Sequence, residues 1–323
     1  MALKSLRTQG GTTVQDLGRL GYQRYGVSPS GAMDWFALRA ANRLVGNGAE
    51  AAGVEAGLTD QTYALTDASL IAVTGSGFDL YVDGRPRPLW TALFVRAGWR
   101  IDLRKTTGGG WAYLAVAGGL QTPTVLGSRA TYHRGGFGGH AGRMLQPGDV
   151  LPTSRAPKSP LALAGSCLPP AQRPPYSQNP ALDVILGPQD GAFTPEGIQT
   201  FLSAKYLLSV VSDRMGYRLE GDRIAHRASA DIISDGVTLG SVQVPASGQP
   251  LVMMSDRPTT GGYPKIAVLA TADVPLLAQC TPGSSQVRFR AITVEAAQAR
   301  YRQLIQALDG GLEMPEPEDL TGF

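Results

Sequence analysis

The sequence repeats one short pattern in its two halves, and this repeat restricts the possible folds more than any other feature. Residues 106–109 and residues 259–262 are both Thr-Thr-Gly-Gly, and an apolar run follows each of them. Paired glycines are typical of tight turns, and short apolar runs are typical of strands. The repeat predicts a duplicated β domain. Only the second copy has a lysine, Lys265, where its strand begins, so we expect the first copy to be structural and the second to hold a site.

Composition limits the classes of protein that the chain can belong to. With 323 residues it is long enough for two domains, and its 41 glycines and 23 prolines favour short strands joined by turns. A net charge of +3 without a long basic block argues against nucleic-acid binding, and no apolar stretch is long enough to span a membrane. Two cysteines and an N-terminus unlike a signal peptide predict a cytoplasmic protein.

Proline divides the chain near its middle. Eight prolines between residues 151 and 180 disfavour both a helix and an interior strand, because proline fixes φ and lacks a backbone donor. We expect an extended linker there, although a long surface loop within one domain is the alternative. The predicted β domains are then residues 1–150 and 181–310, followed by a mobile tail at 311–323.

Each half has a helix followed by several short strands. Helical periodicity predicts helices at 34–46, where Ser30 is a candidate N-cap or entry turn, and from Pro195 to about Tyr206, where Thr194 is the N-cap. A further helix is expected at 295–308 with Thr293 as its cap. The whole pattern predicts a mainly β fold with a few helices. The strand-like runs are 69–73, 79–82, 92–95, 100–103, 113–116, 207–211, 232–233, 241–244, 251–254 and 265–269.

The polar segment 212–221 is the first candidate for a binding site. Arg214 and Arg218, with Asp213 beside them, follow an apolar run, and an arginine can bind a carboxylate or phosphate through two nitrogens. The alternative is a solvated hairpin with internal Asp–Arg pairs, and residue spacing alone favours that alternative.

Two further segments contribute candidate catalytic residues. Asp235 lies at an Asp-Gly turn, and Gln243 is a polar residue in an otherwise apolar strand, where a buried amide needs a partner. Lys265 follows a glycine-rich turn and begins an apolar strand, a setting in which a lysine can transfer protons. The alternatives are a turn aspartate, a core glutamine and a lysine that reaches solvent. Residues expected to line the site beside Lys265 are Thr259, Thr260, Gly261, Gly262 and Tyr263.

No metal site is predicted. The three histidines are scattered, and they have no cysteine or carboxylate at the spacing of a zinc site. The glycines before Lys265 do not form the phosphate-binding loop of nucleotide-binding proteins, because its Gly-x-x-x-x-Gly-Lys-Ser/Thr pattern is absent and no helix is expected to follow.

Several longer motifs together resemble one family. They include Ser-Asp-Arg-Met-Gly-Tyr-Arg-Leu-Glu-Gly at 212–221 and Thr-Thr-Gly-Gly-Tyr-Pro-Lys-Ile-Ala at 259–267. The chain resembles the biotin-dependent carboxyltransferase-domain family, also called allophanate hydrolase subunit 2 or KipA-type, over roughly residues 8 to 290. Its stand-alone bacterial members are subunits of an ATP-dependent 5-oxoprolinase. The other motifs that match are at 12–19, 30–34, 41–47, 186–190, 234–237 and 240–245.

The resemblance implies a fold and a set of partners. It implies two cyclophilin-like β-barrel domains, a partner of the KipI-like type and a further LamB/YcsF-like protein that completes the enzyme. ATP would be used by the complex to open the lactam ring of 5-oxoproline. Asp235, Lys265 and Gln243 would be catalytic, Arg214 and Arg218 would bind a carboxylate or phosphate, and residues of the N-terminal motifs would contact substrate. These N-terminal candidates are Arg19, Ser30 and Asp34.

Two other functions are compatible with the same family. The chain could be the carboxyltransferase component of a biotin-dependent, urea carboxylase-like system, in which biotin is the cofactor. It could also be a KipA-type regulatory protein that binds and antagonises a KipI-like kinase inhibitor. The sequence has no biotin-attachment Met-Lys-Met segment and no Ser-Ser-Lys amidase signature of its own, which favours the 5-oxoprolinase component.

Overall fold

The computed structural model of the chain describes residues 1–8, 10–155 and 160–314. These residues form two compact units, and neither unit is continuous in sequence. The first unit contains Met1–Arg19, Ser30–Arg173 and the residues from Gln306 onward, and the second contains Leu20–Pro29 and Pro174–Ile305. The boundary between Arg173 and Pro174 falls inside the proline-rich segment 151–180.

The first unit consists of two antiparallel sheets and one helix. Its six-stranded sheet has the order β11-β1-β4-β9-β6-β7, and its five-stranded sheet has the order β2-β3-β10-β5-β8. The strands are β1 Ala2–Arg7, β2 Thr13–Gln15, β3 Gly53–Gly57, β4 Gln61–Leu65, β5 Ser69–Gly75, β6 Phe78–Val82, β7 Arg85–Arg87, β8 Ala92–Val95, β9 Arg100–Lys105, β10 Trp111–Val116 and β11 Val150–Pro152, and the helix is α1 Trp35–Leu44.

One hydrophobic core joins the two sheets of the first unit. Its buried side chains come from both sheets, for example Leu3 and Ile101 from one and Val73 and Leu114 from the other. Within the described residues, no strand pairing connects the sheets into a single hydrogen-bonded ring. The first unit therefore encloses its core between two separate sheets, whereas the family resemblance implied a barrel.

Helix α1 begins at an aspartate. The Asp34 carboxylate accepts a hydrogen bond from the Ala37 amide at 2.9 Å, which makes Asp34 the N-cap. Of the two roles expected for Ser30, N-cap or entry turn, the N-cap was wrong, because Asp34 holds that position; Ser30 precedes the helix with a left-handed φ of 53°.

The second unit is built around a closed barrel of seven strands, in the order β12-β19-β16-β17-β14-β13-β20. The barrel closes where β12 pairs in parallel with β20, next to a core of stacked rings from Phe201 and Phe289. The strands are β12 Ala181–Leu186, β13 Tyr206–Leu208, β14 Gly216–Glu220, β15 Asp235–Gly236, β16 Ser241–Gln243, β17 Leu251–Met253, β18 Thr260–Gly261, β19 Lys265–Leu269 and β20 Gln286–Ala291, and the helices are α2 Pro195–Ser203, α3 Val274–Ala278 and α4 Val294–Gly310.

The mainly β class with a few helices is confirmed, and so are two of the helix starts. Thr194 caps α2 by accepting from the Gly197 amide at 3.0 Å, and Thr293 accepts from the Ala296 amide at 3.2 Å at the start of α4. Two predicted strands in the second unit were wrong in whole or part. The run 207–211 leaves the sheet after Leu208, and 232–233 forms no strand. Both places have β-branched residues, but a strand also needs a neighbour to pair with.

Parts of the proline-rich segment and of the tail have defined partners. Val150–Pro152 forms the edge strand β11, where a proline is tolerated because its nitrogen needs no partner. Glu313 exchanges two backbone hydrogen bonds of 2.9 Å with Cys167, so this part of the predicted mobile tail is fixed. The rest of that tail, residues 315–323, lies outside the described residues. Cys167 and Cys280 are both free thiols. No helix among the described residues is long and apolar enough to cross a membrane.

Candidate functional site

The ammonium group of Lys265 lies at the centre of a polar cluster in the second unit. Its Nζ donates to Asp235 Oδ2 at 2.6 Å and to the carbonyl of Gly236 at 2.9 Å. The Lys265 side chain is 3% exposed, whereas that of Asp235 is 53% exposed. A lysine has three N–H donors, and no acceptor among the described residues receives the third. The ion pair thus has one donor left for a ligand.

The barrel places Gln243 beside Lys265. Lys265 is the first residue of β19, and it pairs directly with Gln243 of β16 at an irregularity in the register. Directly paired residues on antiparallel strands point to the same face of the sheet. The Gln243 amide nitrogen donates to the Tyr263 carbonyl at 3.2 Å, and within the described chain nothing donates to its amide oxygen. Two residues paired at the backbone thus each keep one unused polar group, an N–H of Lys265 and the amide oxygen of Gln243.

The second Thr-Thr-Gly-Gly segment lies against Asp235 and Gln243 of this cluster. Its strand β18 pairs antiparallel with β15, so that Asp235 is opposite Gly261. A Cβ atom on Gly261 would lie 2.5 Å from the Gln243 amide nitrogen. A larger residue at 261 would therefore displace the end of the Gln243 side chain from its present position.

The segment is fixed by backbone hydrogen bonds on both sides. The Thr259 carbonyl accepts from the Val237 amide at 3.0 Å, and the Gly262 carbonyl accepts from the Ile232 amide at 2.8 Å. Thr260, in β18, pairs with Gly236. The side chain of Tyr263 remains 39% exposed, so its ring is accessible beside the cluster.

Gln189 connects the two ends of the ion pair, and the sequence analysis gave it no role. Its amide nitrogen donates to Asp235 Oδ2 at 3.1 Å, and its amide oxygen accepts from the Lys265 backbone amide at 3.1 Å. Its own backbone amide donates to the Lys265 carbonyl. Its position in the motif 186–190, just after the end of a strand, was the sequence feature that could have indicated a role in the site.

The Asp235 carboxylate is held in its charged form. The hydrogen bond from Lys265, followed by those from the Gly236 amide and the Gln189 amide, lowers the pKa of Asp235 below its usual value of 3.8. A carboxylate with a lowered pKa is a weak base, so its geometry suits it to holding the lysine ammonium in place. This argues for Lys265 as the group that meets the ligand and for Asp235 as the group that orients it.

The predicted arginines occupy other positions. Arg214 binds Asp256 through Nε and Nη2, each at 3.0 Å, and this carboxylate is buried. Arg218 is exposed on β14, and no described contact joins its guanidinium to Lys265. Asp213 accepts from the Met215 and Gly216 amides and so fixes a turn. The alternative was a solvated hairpin with Asp–Arg pairs inside 212–221, whereas Arg214 pairs with a buried carboxylate outside that segment, Asp256.

The N-terminal candidates belong to the first unit. Arg19 is almost fully buried, donates to the Ala130 carbonyl and lies 4.9 Å from the centre of the Phe137 ring. The Ser30 hydroxyl is buried without a hydrogen-bond partner. Asp34, the cap of α1, is fully buried.

A buried hydrogen-bond chain fixes the loop from Ser30 to Asp34. The Asp34 amide donates to the Tyr113 hydroxyl at 2.7 Å, and that hydroxyl donates to Glu55 Oε2 at 2.8 Å. The Met33 amide donates to the same Glu55 oxygen at 2.8 Å. Burial is the main cause that raises the pKa of Tyr113 far above 10. These contacts give Tyr113 a structural role, in the copy of the repeat that the sequence predicts to be structural.

No metal centre is evident in the part of the chain that the structure describes. In residues 1–8, 10–155 and 160–314, no three side chains of histidine, cysteine, aspartate or glutamate are grouped so that they could hold a metal ion.

Comparison with known proteins identifies the family. The family described as carboxyltransferase domain, subdomain A and B, matches residues 25–291. The C subunit of the 5-oxoprolinase of Escherichia coli is 37% identical over 303 residues, covering 93% of this chain and 95% of that protein. Its Haemophilus influenzae counterpart is 36% identical, covering 91% of this chain and 92% of that protein. The chain belongs to the carboxyltransferase domain family.

A solved structure has the same fold. The crystal structure of the K. lactis urea amidolyase superposes with a TM-score of 0.89 and 29% sequence identity, covering 98% of this chain and 20% of that much longer chain. The family predicted from the sequence motifs is thereby confirmed, and the similarity extends over both units.

Proposed function

We propose that this chain is a subunit of an ATP-dependent 5-oxoprolinase and binds the lactam at the Lys265 cluster. Two relatives that match over nearly their whole length are both named as the C subunit of 5-oxoprolinase. The observation that supports a lactam is that Lys265 and Gln243, which pair across β19 and β16, keep an unused N–H and an unused amide oxygen. The amide of a lactam presents a carbonyl oxygen and an N–H on the same edge, so it offers one acceptor and one donor to these two groups.

In the proposed reaction, water adds to the ring carbonyl carbon and the C–N bond breaks, which leaves glutamate. Negative charge develops on the carbonyl oxygen, and the Lys265 ammonium is placed to stabilise it. Asp235 and Gln189 hold that ammonium in position, so it needs little reorganisation during the reaction. The Gln243 oxygen accepts from the ring N–H and fixes the orientation of the ring. The lactam nitrogen receives a proton as it leaves, and Lys265 is a candidate donor.

ATP is proposed as a substrate of the complex. ATP would supply a phosphoryl group that, on the lactam oxygen, makes the ring carbon more electrophilic; after water has added and the C–N bond has broken, a second water would release that group as inorganic phosphate, leaving glutamate and ADP. The cluster on this chain fits the lactam amide, so the roles assigned here concern the lactam. We propose a KipI-like protein and a LamB/YcsF-like protein as the partners, and we expect the isolated chain to be inactive.

A urea carboxyltransferase is the second candidate, because the K. lactis urea amidolyase shares this fold over 98% of the chain. Urea also has a carbonyl oxygen and N–H groups on adjacent atoms, so the Lys265–Gln243 pair fits it too. Biotin would be the cofactor in that case, supplied by a separate carboxylase. The same donor and acceptor would then orient urea for attack on the carboxyl group.

The test is turnover by the reconstituted complex of this chain with its two partner proteins. We measure ATP hydrolysis that depends on 5-oxoproline for the wild type, Lys265→Met and Gln243→Leu. Loss of a positioned donor to a developing oxyanion typically costs about 100- to 1,000-fold in kcat, and we expect this for Lys265→Met. Gln243→Leu is expected to raise KM more than it lowers kcat, because its oxygen orients the ring.

Lys205→Met is the matched control, because Lys205 is exposed and lies outside the cluster. It is expected to behave like the wild type. Full activity of Lys265→Met would remove the lysine from the reaction. A complex that turns over urea with a biotinylated carboxylase, and not 5-oxoproline, would establish the second candidate. Binding of the KipI-like partner without any turnover would instead support a regulatory protein.

A further inference from the structure

Arg257 is a buried cation that the roles proposed above do not use. It lies in the turn after β17, just before the Thr-Thr-Gly-Gly segment, and is 7% exposed. Its Nε is 3.4 Å from the Val237 carbonyl, and its Nη1 is 3.5 Å from the Met254 carbonyl. Both distances are at the outer limit for hydrogen bonds, so the guanidinium is only weakly bound by the protein.

The guanidinium of Arg257 makes no direct ion pair among the described residues, although the charge of the neighbouring Asp256 acts on it. No carboxylate of residues 1–8, 10–155 or 160–314 lies within ion-pair distance of its guanidinium. The adjacent carboxylate of Asp256 uses both oxygens to bind Arg214. Buried charges in proteins are normally paired, because leaving water without a counter-charge is costly. An unpaired buried guanidinium therefore indicates that a ligand supplies the anion.

The guanidinium remains charged despite its burial. Loss of solvation lowers the pKa of Arg257 to about 10, and the neighbouring Asp256 partly opposes this effect. At neutral pH the side chain is protonated in the folded protein, with its fork of N–H donors available.

The present contacts of Arg257 can be given up at small cost. The Val237 carbonyl also accepts from the amide of Gln23 at 3.2 Å, which is shorter than its contact with Arg257. This carbonyl would thus keep a donor if the guanidinium turned towards a ligand. If the Val237 carbonyl depended on Arg257 for a hydrogen bond, we would expect Arg257 to be its one donor and the distance to be shorter than 3.4 Å.

Arg257 and Lys265 hold consecutive residues of one short segment. Lys265 donates to the Gly236 carbonyl, and Arg257 approaches the carbonyl of Val237, the next residue. The Thr259 carbonyl in turn accepts from the Val237 amide. The arginine therefore lies at the side of the Lys265 cluster, within the same unit and attached to the same backbone.

We propose that Arg257 forms an anion-binding subsite beside the Lys265 cluster and receives a carboxylate or phosphate group of the ligand. A guanidinium binds either anion through two parallel hydrogen bonds. If the proposed function is correct, on which this choice of ligand rests, the carboxylate is that of 5-oxoproline. Arg257 then takes the role that the sequence suggested for Arg214 and Arg218.

Calorimetric titration of the full chain tests this subsite with three probes. They are 5-oxoproline, its neutral carboxamide analogue and inorganic phosphate, each titrated into the wild type, Arg257→Lys and Arg257→Met. We expect Arg257→Met to bind the two anions about 10- to 100-fold more weakly, as follows from losing a charge-assisted pair. Arg257→Lys should recover part of this affinity. The neutral analogue should bind wild type and variants equally. Arg288→Met, which alters an exposed arginine on β20, is the control and should bind like the wild type.

Thermal unfolding separates a ligand-binding arginine from a structural one. Replacing an unpaired buried charge by an apolar side chain of similar length is expected to maintain or raise the thermal midpoint of the free protein. Anions should then stabilise the wild type and not Arg257→Met. If Arg257→Met lowers the midpoint while anion binding is unchanged, Arg257 is structural and the subsite is refuted.

The outcomes also separate this subsite from the proposed function. Phosphate binding that needs Arg257, without any binding of 5-oxoproline, would support the subsite and count against 5-oxoproline as substrate. Binding of 5-oxoproline that needs Lys265 but not Arg257 would refute the subsite alone. If neither anion binds the wild type, the subsite is also refuted.

Discussion

The two Thr-Thr-Gly-Gly segments have the same four residues and use a nearby lysine in opposite ways. In the first unit the lysine comes before the segment. Lys105 donates to three carbonyls, of Gly77 at 3.2 Å, Gly108 at 3.2 Å and Gly109 at 2.7 Å, so all of its N–H donors are used by the backbone. In the second unit Lys265 follows the segment and gives two donors to Asp235 and Gly236. The first lysine stabilises a turn, and the second retains a donor for a ligand.

The glycines of the two segments differ as well. Gly108 and Gly109 have φ angles of 86° and 72°, which glycine adopts without strain. Neither Gly261 nor Gly262 has a left-handed φ, and Gly261 instead leaves room for the end of the Gln243 side chain. The same tetrapeptide is therefore a requirement of the backbone in one unit and of a side-chain cluster in the other.

Among the variants proposed here, Gly109→Ala should change stability most, and Gly261→Ala should affect turnover instead. A Cβ on Gly109 would lie 2.4 Å from the Gly77 backbone nitrogen, at a φ that alanine rarely adopts. We expect Gly109→Ala to lower the free energy of unfolding by about 2–5 kcal/mol. Gly261→Ala would meet the mobile end of the Gln243 side chain, so we expect it to weaken turnover of 5-oxoproline and to change stability much less.

Urea unfolding and complex turnover measure the two effects separately. Gly84→Ala is a control for φ alone, because Gly84 has a φ of 77° and no atom within 4 Å of its missing Cβ. If Gly109→Ala and Gly261→Ala reduce stability equally, the two segments are equivalent and the comparison fails.

Replacing Lys105 by methionine tests the structural lysine. The change leaves three carbonyls without their donor, and it removes the ammonium from its position 4.8 Å from the centre of the Phe78 ring. An unsatisfied buried polar group costs about 1–3 kcal/mol, and we expect a loss of stability in this range by urea unfolding. Turnover by the fraction of complex that stays folded should equal that of the wild type. A loss of turnover without a loss of stability would show that the first copy also has a chemical role.

The dependence of stability on pH below 4 extends the comparison to one carboxylate in each unit, Asp149 and Asp235. In the first unit Arg143, through bonds of 2.7 and 2.8 Å, is the main cause that lowers the pKa of Asp149 from 3.8 to about 2. A lowered carboxyl pKa stabilises the folded state above pH 4, and this contribution is lost as the pH falls from 4 towards 2. The shift corresponds to about 2 kcal/mol.

We expect Asp149→Asn to lose this contribution at pH 7 and to show a flatter decline of its thermal midpoint below pH 4. Asp235→Asn changes a carboxylate that is more than half exposed, so its thermal midpoint should stay close to that of the wild type while turnover falls. A large loss of stability from Asp235→Asn would make the ion pair with Lys265 structural.

The sequence predicted the elements that depend on local residues. Thr194 and Thr293 were recognised as helix caps because a cap needs only a hydroxyl or carboxyl at the right position. Ala92–Val95 and Lys265–Leu269 were predicted as strands with their observed bounds. The errors at 207–211 and 232–233 arose where a β-forming run has no partner strand, and pairing is a property of the whole sheet.

The candidate site shows the same division. Asp235, Gln243 and Lys265 were selected singly from motifs. The pairing of β16 with β19 in the barrel brings Gln243 and Lys265 together, and Asp235, on the separate two-stranded sheet of β15 and β18, meets the Lys265 side chain. Arg214 was a reasonable candidate from spacing, but its partner Asp256 is distant in sequence and close only in the fold. No sequence feature predicted a role for Arg257, because the burial of an arginine depends on what packs around it.

The sequence by itself determined the family, the mainly β class and the identity of the lysine that distinguishes the two copies, since these follow from motifs, turn residues and periodicity. The tertiary structure decided which donors and acceptors remain unused. Whether Lys105, Lys265 or Arg257 has a hydrogen free for a ligand depends on carbonyls and carboxylates that long-range strand pairing and packing bring within about 3 Å, the distance at which a hydrogen bond forms.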